Sequence, residues 1–200
     1  MAAPIEFWFD FSSPYGYLAS TRIDAIAARH GRTVAWKPFL LGVAFKANNT
    51  APLTESPMKG PYSKHDFART ARLFGVPITL PEPFPFSALV PSRAFYWLHD
   101  KDPALAVRFA QAVFHEAFVA GRIVAGAEAT AAVAAPLGID RAALLAALNE
   151  PAVKDRLRVE VEAGLAKGVF GSPFAIVDGE PFWGADRLEQ VERWIATGGW

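Results

Sequence analysis

Phe9-Asp10-Phe11-Ser12-Ser13-Pro14-Tyr15-Gly16-Tyr17 is the stretch from which the fold is read. Its first residues continue an alternation that starts at Ile5, with Phe7, Phe9 and Phe11 on one face and Glu6, Trp8 and Asp10 on the other, the pattern of a short strand. Pro14 suits the first turn of a helix, where its missing N–H is not needed. Leu18/Ala19, Ile23 and Ile26/Ala27 then form an apolar stripe, and Gly31 is placed as the C′ residue that ends it. Dithiol-exchanging proteins carry Cys-x-x-Cys at such a helix start, where the helix dipole favours a thiolate. This chain has Ser13 and Gly16 in those two places and no cysteine at all. Dithiol exchange is therefore excluded, and a thiolate held here has to come from another molecule.

Working outward, Thr33 to Phe39 reads as a second strand, parallel to the first around a right-handed crossover. From Gly42 to Glu82 loop signals dominate at Asn48, Asn49, Pro52, Pro57 and Pro61, with a helix from about Ser63 to Phe74, and the prolines from Pro77 to Pro91 exclude regular structure. From about Arg93 to Leu165 the alanine-rich sequence predicts four or five helices, broken near Asp102-Pro103, Gly121 to Gly126, Pro136 to Gly138 and Glu150-Pro151. Asp178-Gly179 between Phe174–Val177 and Glu180–Trp183 predicts a hairpin with a two-residue turn. Asp186 to Glu189 forms a capping box for a last helix with Leu188, Val191 and Ile195 buried. The order gives a βαβ unit in residues 1–45, an all-helical insertion in 46–160, and a β-hairpin with a last helix in 161–200.

Composition narrows the function classes. Twenty basic and twenty acidic residues, without a run of like charge, leave no electrostatic footprint for nucleic acid or an anionic membrane. No apolar run reaches the roughly 20 residues of a membrane span, and no signal-peptide pattern opens the chain, so a cytoplasmic protein is expected. Four histidines, at 30, 65, 99 and 115, lack metal-ligand spacing, so no metal is expected. Sixteen Phe and six Trp exceed ordinary packing needs and point to a ligand cavity or a subunit interface.

Five motifs, in order along almost the whole chain, resemble the 2-hydroxychromene-2-carboxylate isomerase family, which is close to the kappa-class glutathione transferases in the DsbA-related thioredoxin-like group. They are Phe9 to Leu18, Pro38-Phe39-Leu40-Leu41-Gly42 continuing to Phe45-Lys46-Ala47, Phe84-Pro85, Gly168 to Pro173, and Phe182 to Leu188. The resemblance implies an α/β thioredoxin-like fold with an all-helical insertion, glutathione as cofactor and a small aromatic carboxylate as substrate. It also implies a homodimer, for which the aromatics of Pro81 to Trp97 (Phe84, Phe86, Phe95, Tyr96 and Trp97) would offer apolar surface.

Ser13 matches the family's catalytic serine, whose hydroxyl would donate to a glutathione thiolate; read without the family, it is a helix N-cap. Ser12 stands where the family has a larger apolar residue, and its hydroxyl is the alternative cap. Ser172-Pro173 occupies the place of a cis-proline, where the backbone before the proline pairs with the cysteinyl part of a bound peptide; family members often carry Val at position 172. Asp186 and Arg187 open the last helix, whose N-terminus would take the γ-glutamyl carboxylate while the Asp186 side chain takes its ammonium; read without the family, Asp186 is only the capping residue, and Trp183 would be a pocket wall. Lys46 matches the family's active-site lysine, facing the substrate carboxylate or glutathione. The family's asparagine corresponds to Asn48 or Asn49, preferably Asn49, and Ser87-Ala88-Leu89 departs from the family's Asn-Thr/Ser-Leu.

The resulting expectation is a glutathione-dependent isomerase. The rivals are a kappa-type transferase or peroxidase, and a non-catalytic thioredoxin-like binding module.

Overall fold

A computed structural model describes residues 2–200. Four strands form one mixed sheet: β1 (Ile5–Phe9), β2 (Val34–Pro38), β3 (Phe174–Val177) and β4 (Glu180–Trp183), in the order β2-β1-β3-β4. β1 and β2 are parallel and joined by α1 (Pro14–Ser20) and α2 (Ile23–Arg29), the expected crossover. β3 is antiparallel to both β1 and β4. The β3–β4 turn has Asp178 at φ 53° and Gly179 at φ 94°, the positive values that an Asp-Gly hairpin requires.

Between β2 and β3 the chain is helical: α3 (Leu41–Asn48), α4 (Lys59–Phe74), α5 (Leu89–His99), α6 (Pro103–Phe118), α7 (Ala127–Ala134), α8 (Arg141–Ala147) and α9 (Pro151–Ala166). The breaks from α5 to α9 fall where the sequence places them, with Asp102 and Asp140 capping α6 and α8 by accepting from the Leu105 and Ala143 N–H. The helical stretch runs from Leu41 to Ala166, so divisions at 45/46 and 160/161 cut through α3 and α9. A last helix, α10 (Leu188–Thr197), returns beside the sheet.

The core is built on aromatic side chains. Phe7, Phe9 and Phe11 are fully buried; Phe9 stacks on Phe7 at 5.3 Å and meets Trp36 edge-on at 5.4 Å and Phe95 at 6.3 Å. On the opposite face Trp8 packs against Phe39 and α9, where a β-carbon on Gly164 would lie 2.9 Å from the Trp8 ring. Each such ring buries roughly 150–250 Å². Covered on both faces, the sheet is a rigid floor from which the turn after β1 projects.

Three expectations change. The helix after Pro14 does not run unbroken to Gly31: Ser20 and Thr21 turn their hydroxyls onto the Tyr17 and Leu18 carbonyls, competing with the helical ladder, and α2 restarts at Ile23. Gly31 follows α2 with a φ of 63°. The segment after β2, read as loop, is helix α3, ended by Asn49 in the left-handed conformation that Asn tolerates. The aromatics of Pro81 to Trp97 are mostly inside the chain: Phe95 and Tyr96 are core residues, with the Tyr96 hydroxyl donating to Pro38 O at 2.9 Å, and Phe86 is buried. Phe84 and Trp97 are partly buried, so part of the apolar surface expected here stays open to solvent.

Candidate active site

A cleft of about 1020 Å³ opens where the turn after β1 meets α3, α4 and the segment before β3. Asp10, just beyond β1, folds its carboxylate back over the turn. It accepts from Ser12 N at 2.7 Å, Ser12 Oγ at 2.7 Å and Leu41 N at 2.8 Å, tying the turn to α3. Burial pushes the Asp10 carboxyl above its ordinary range, while the Leu41 and Ser12 hydrogen bonds pull the other way.

Ser13 is the N-cap of α1; its Oγ accepts from Gly16 N at 3.0 Å and donates to Ser172 O at 3.0 Å. Ser12 is not the cap, because its hydroxyl is committed to Asp10. Pro14 lacks an N–H and that of Gly16 serves Ser13, so the first turn offers an incoming anion only the Tyr15 N–H. The Ser172-Pro173 bond is cis, and Ser172 Oγ accepts from Asp10 N at 2.9 Å. Neither the Ser172 N–H nor its hydroxyl proton has an acceptor among the described residues. A β-carbon on Gly16 would stand 2.8 Å from Ser172 Oγ, so that hydroxyl fills the space of the missing side chain.

On the same side Trp183, 54% exposed, lies against the Gly171 backbone, where a β-carbon would fall on its Nε1, and meets Phe170 edge-on at 4.9 Å. Gly184, at φ 116°, starts a tight 3₁₀ turn over Ala185–Arg187. The capping box is not formed: the N-cap of α10 is Arg187, without a side-chain bond, and Asp186 sits inside the preceding turn. This turn takes up the residues that the box needs, and it leaves the Ala185 and Asp186 N–H groups at its open start, beside the cleft.

The opposite wall comes from α3, α4 and the Phe84 to Leu89 segment. Tyr62, Asp66 and Arg69, spaced i, i+4 and i+7 on α4, share one face. Tyr15 OH donates to Asp66 Oδ2 at 2.5 Å, and burial, helped by this bond, holds the phenol well above its usual range. Lys46, Asn48 and Asn49 do not line the cleft. Lys46 is exposed on α3, Asn48 Nδ2 donates to Ala44 O at 2.9 Å, and Asn49 is the left-handed C-cap, so these side chains sit at the helix end rather than in the pocket. The structure thus gathers Ser13, Ser172, Trp183, Asp186 and Arg187 around one space, with Pro173 buried behind Ser172. Among the described residues no cluster of His, Asp and Glu is placed to hold a metal ion.

Sequence reasoning missed Asp10, Tyr15, Asp66 and Arg69 as lining residues. Asp66 and Arg69 fall on the helix expected from about Ser63, which the structure starts earlier, at Lys59, and nothing in the sequence says that their face meets the turn after β1.

The DSBA-like thioredoxin domain model matches residues 4–196. A 2-hydroxychromene-2-carboxylate isomerase of Sphingobium xenophagum is 30% identical over 98% of this chain and 99% of its own. A solved structure of a 2-hydroxychromene-2-carboxylate isomerase superposes with a TM-score of 0.87 at 29% identity, over 96% of this chain and 94% of that one. A kappa 2 glutathione S-transferase of Caenorhabditis elegans is 27% identical over 96% of this chain and 91% of its own.

Proposed function

Because the chain belongs to the DsbA-like thioredoxin family, and within it to the 2-hydroxychromene-2-carboxylate isomerase family, we propose that it is a glutathione-dependent isomerase. Its reaction is the conversion of 2-hydroxychromene-2-carboxylate, or a close analogue from aromatic catabolism, to trans-o-hydroxybenzylidenepyruvate. The observation that carries this reading is the Ser13 hydroxyl, the N-cap of α1, hydrogen-bonded to Ser172 O in the lining of a cleft, in a chain without a sulfhydryl of its own.

The residues present fit glutathione. Among the described residues Ser172 offers an unengaged N–H and a carbonyl whose only partner is the Ser13 hydroxyl, the pair of groups that strand-like pairing with a cysteinyl residue uses. As that carbonyl takes a peptide N–H, the Ser13 proton is released to turn toward the sulfur, while the Gly16 N–H still holds its oxygen in place. The Ser172 hydroxyl, oriented by Asp10 N, adds a second unengaged proton on the same side. Two donors aimed at one sulfur favour its thiolate over its thiol. Asp186 and the open N–H groups of its turn suit the γ-glutamyl ammonium and carboxylate, with Trp183 covering the backbone between.

When bound, glutathione supplies a thiolate that adds reversibly to a conjugated carbon of the ring-opened substrate and is released unchanged once the former double bond has rotated. The chain's part is to hold that sulfur ionised, place the substrate over it and exclude water with Phe45, Phe67, Phe84 and Phe86.

Assaying the isomerisation with and without glutathione tests the proposal: turnover should require the thiol, without consuming it. Equal rates in both would overturn the mechanism. The kappa-class similarity supports a second reading, a transferase that consumes glutathione, which conjugation of a simple aryl halide far faster than isomerisation would favour. Failure of glutathione to bind in titration calorimetry would support a non-catalytic module over both.

A further inference from the structure

We propose that Arg69 is the carboxylate receptor of the cleft and that it selects planar, conjugated carboxylates as the second reactant. The inference rests on the glutathione reading above for the first reactant only. Three observations carry it.

The cleft has room for two molecules. Its volume of about 1020 Å³ reaches the top of the roughly 300–1,000 Å³ span of small-ligand sites. The Ser13, Ser172, Trp183 and Asp186 side accounts for one occupant, and the α4 wall faces the remainder.

That wall is largely apolar and aromatic, and Arg69 is the cation on it. Phe45, Phe67, Phe84 and Phe86 supply flat faces suited to a conjugated ring. Among them Arg69 is held by two partners on its own helix: Nη2 donates to Tyr62 OH at 3.0 Å and to Asp66 Oδ1, and the guanidinium lies 5.7 Å from the Tyr62 ring centroid. Asp66 is fixed in turn by Tyr15, so the chain Tyr15–Asp66–Arg69–Tyr62 locks α4 to the helix that carries Ser13. Nε and Nη1 make no hydrogen bond within the described residues, and the side chain is half exposed, at 51%. A planar cation oriented by two partners, with three N–H donors left over, is the group that reads a carboxylate. Both Asp66 oxygens are engaged, one by Arg69 and one by Tyr15, so its charge is balanced inside the cluster.

The other cations lie on the glutathione side or outside the cleft. Of the residues lining the cleft only Arg69 and Arg187 are cationic, and Arg187 sits beside Asp186 on the glutathione side, at 3.5 Å. Lys46, the side chain that the family resemblance offers to the substrate carboxylate, does not line the cleft.

A carboxylate on this guanidinium has two sources, the second reactant or glutathione itself, and the experiment separates them. The probes are 2-hydroxychromene-2-carboxylate and its methyl ester, with glutathione titrated separately by calorimetry. Arg69→Gln is expected to lower the ratio of carboxylate to ester kcat/KM about 10–100-fold, the loss of one hydrogen-bonded charge contact. Arg69→Lys, which keeps the charge but not the fork, should fall between the two. Glutathione affinity should change less than the ratio does. Equal losses on carboxylate and ester, or a preserved ratio, would overturn the proposal, as would a glutathione affinity that falls by the full factor while the ratio stays constant. If the wild-type chain fails to bind glutathione, the isomerase reading falls by itself. Direct titration of the carboxylate probe into wild-type and Arg69→Gln protein then still decides the role of Arg69.

Discussion

Ser172 Oγ lies 2.8 Å from the point where a β-carbon on Gly16 would stand, although the two residues belong to opposite ends of the chain. In a dithiol protein the residue at position 16 carries the second sulfur, bonded about 2 Å from the first. A hydroxyl from across the fold takes that space here, which puts it next to any sulfur held at Ser13. Gly16→Ala should therefore press on Ser172 Oγ, with Ser13 Cβ at 3.2 Å the next contact, and lower stability by about 1–3 kcal/mol. Ser172→Ala removes the nearest of these atoms, so the double variant should be more stable than the sum of the single losses. Denaturant unfolding of the four proteins measures the coupling, and strict additivity would show that the contact is not felt.

Ser13→Ala removes the α1 cap together with the hydroxyl proposed as the first donor to the sulfur. A hydrogen bond to a charged group contributes about 1.5–3 kcal/mol, so the bound thiol should titrate at higher pH and turnover should slow roughly 10–100-fold. Ser12→Ala takes one of two Ser12 bonds from Asp10 Oδ1 and should cost about 1 kcal/mol of stability while leaving the thiol little changed. Thiolate absorbance of the glutathione complex against pH distinguishes the two. A larger rise in the Ser12 variant would reverse their roles.

What the sequence made legible is what local chemistry dictates. Asp178-Gly179 forces its turn, Pro14 starts its helix, Asp102-Pro103 marks the break before a capped helix, and alternation at Phe7 and Phe9 marks one of the two buried faces of β1. The misreadings have one cause, since several local rules were satisfiable and tertiary packing chose among them. Asp186 to Glu189 has the residues of a capping box, yet Gly184 at φ 116° diverts the chain into a tighter turn first. Phe95 and Tyr96 look like exposed aromatics beside many prolines, yet α5 turns both into the core. The α4 cluster lay beyond reach because Tyr15 and Asp66 meet only when α1 and α4 pack together.

Asp10 gives the fold a pH dependence whose sign can be tested. Burial raises its carboxyl above the ordinary 3.8, against the opposing pull of the Leu41 N–H and the Ser12 N–H and hydroxyl. A carboxyl raised in the folded state binds its proton more tightly there than in the unfolded chain. Its contribution to stability is therefore complete below 3.8 and is lost as pH rises through the raised value. Asp178 behaves oppositely, because the Arg32 hydrogen bond holds its carboxyl low, so its contribution is present above the ordinary value and fades in acid. Asp10→Asn keeps an acceptor for Ser12 but sets an amide N–H₂ against the Leu41 N–H, leaving a buried donor unpaired at about 1–3 kcal/mol. The asparagine does not titrate. The stability of the wild type minus that of Asp10→Asn, from urea unfolding at steps between about pH 4 and 8, should therefore be largest in acid and decline as pH rises. A difference that grows with pH would mean that the three donors outweigh burial and that Asp10 is held as a carboxylate beneath the site, where its charge would work against the thiolate that Ser13 is placed to favour.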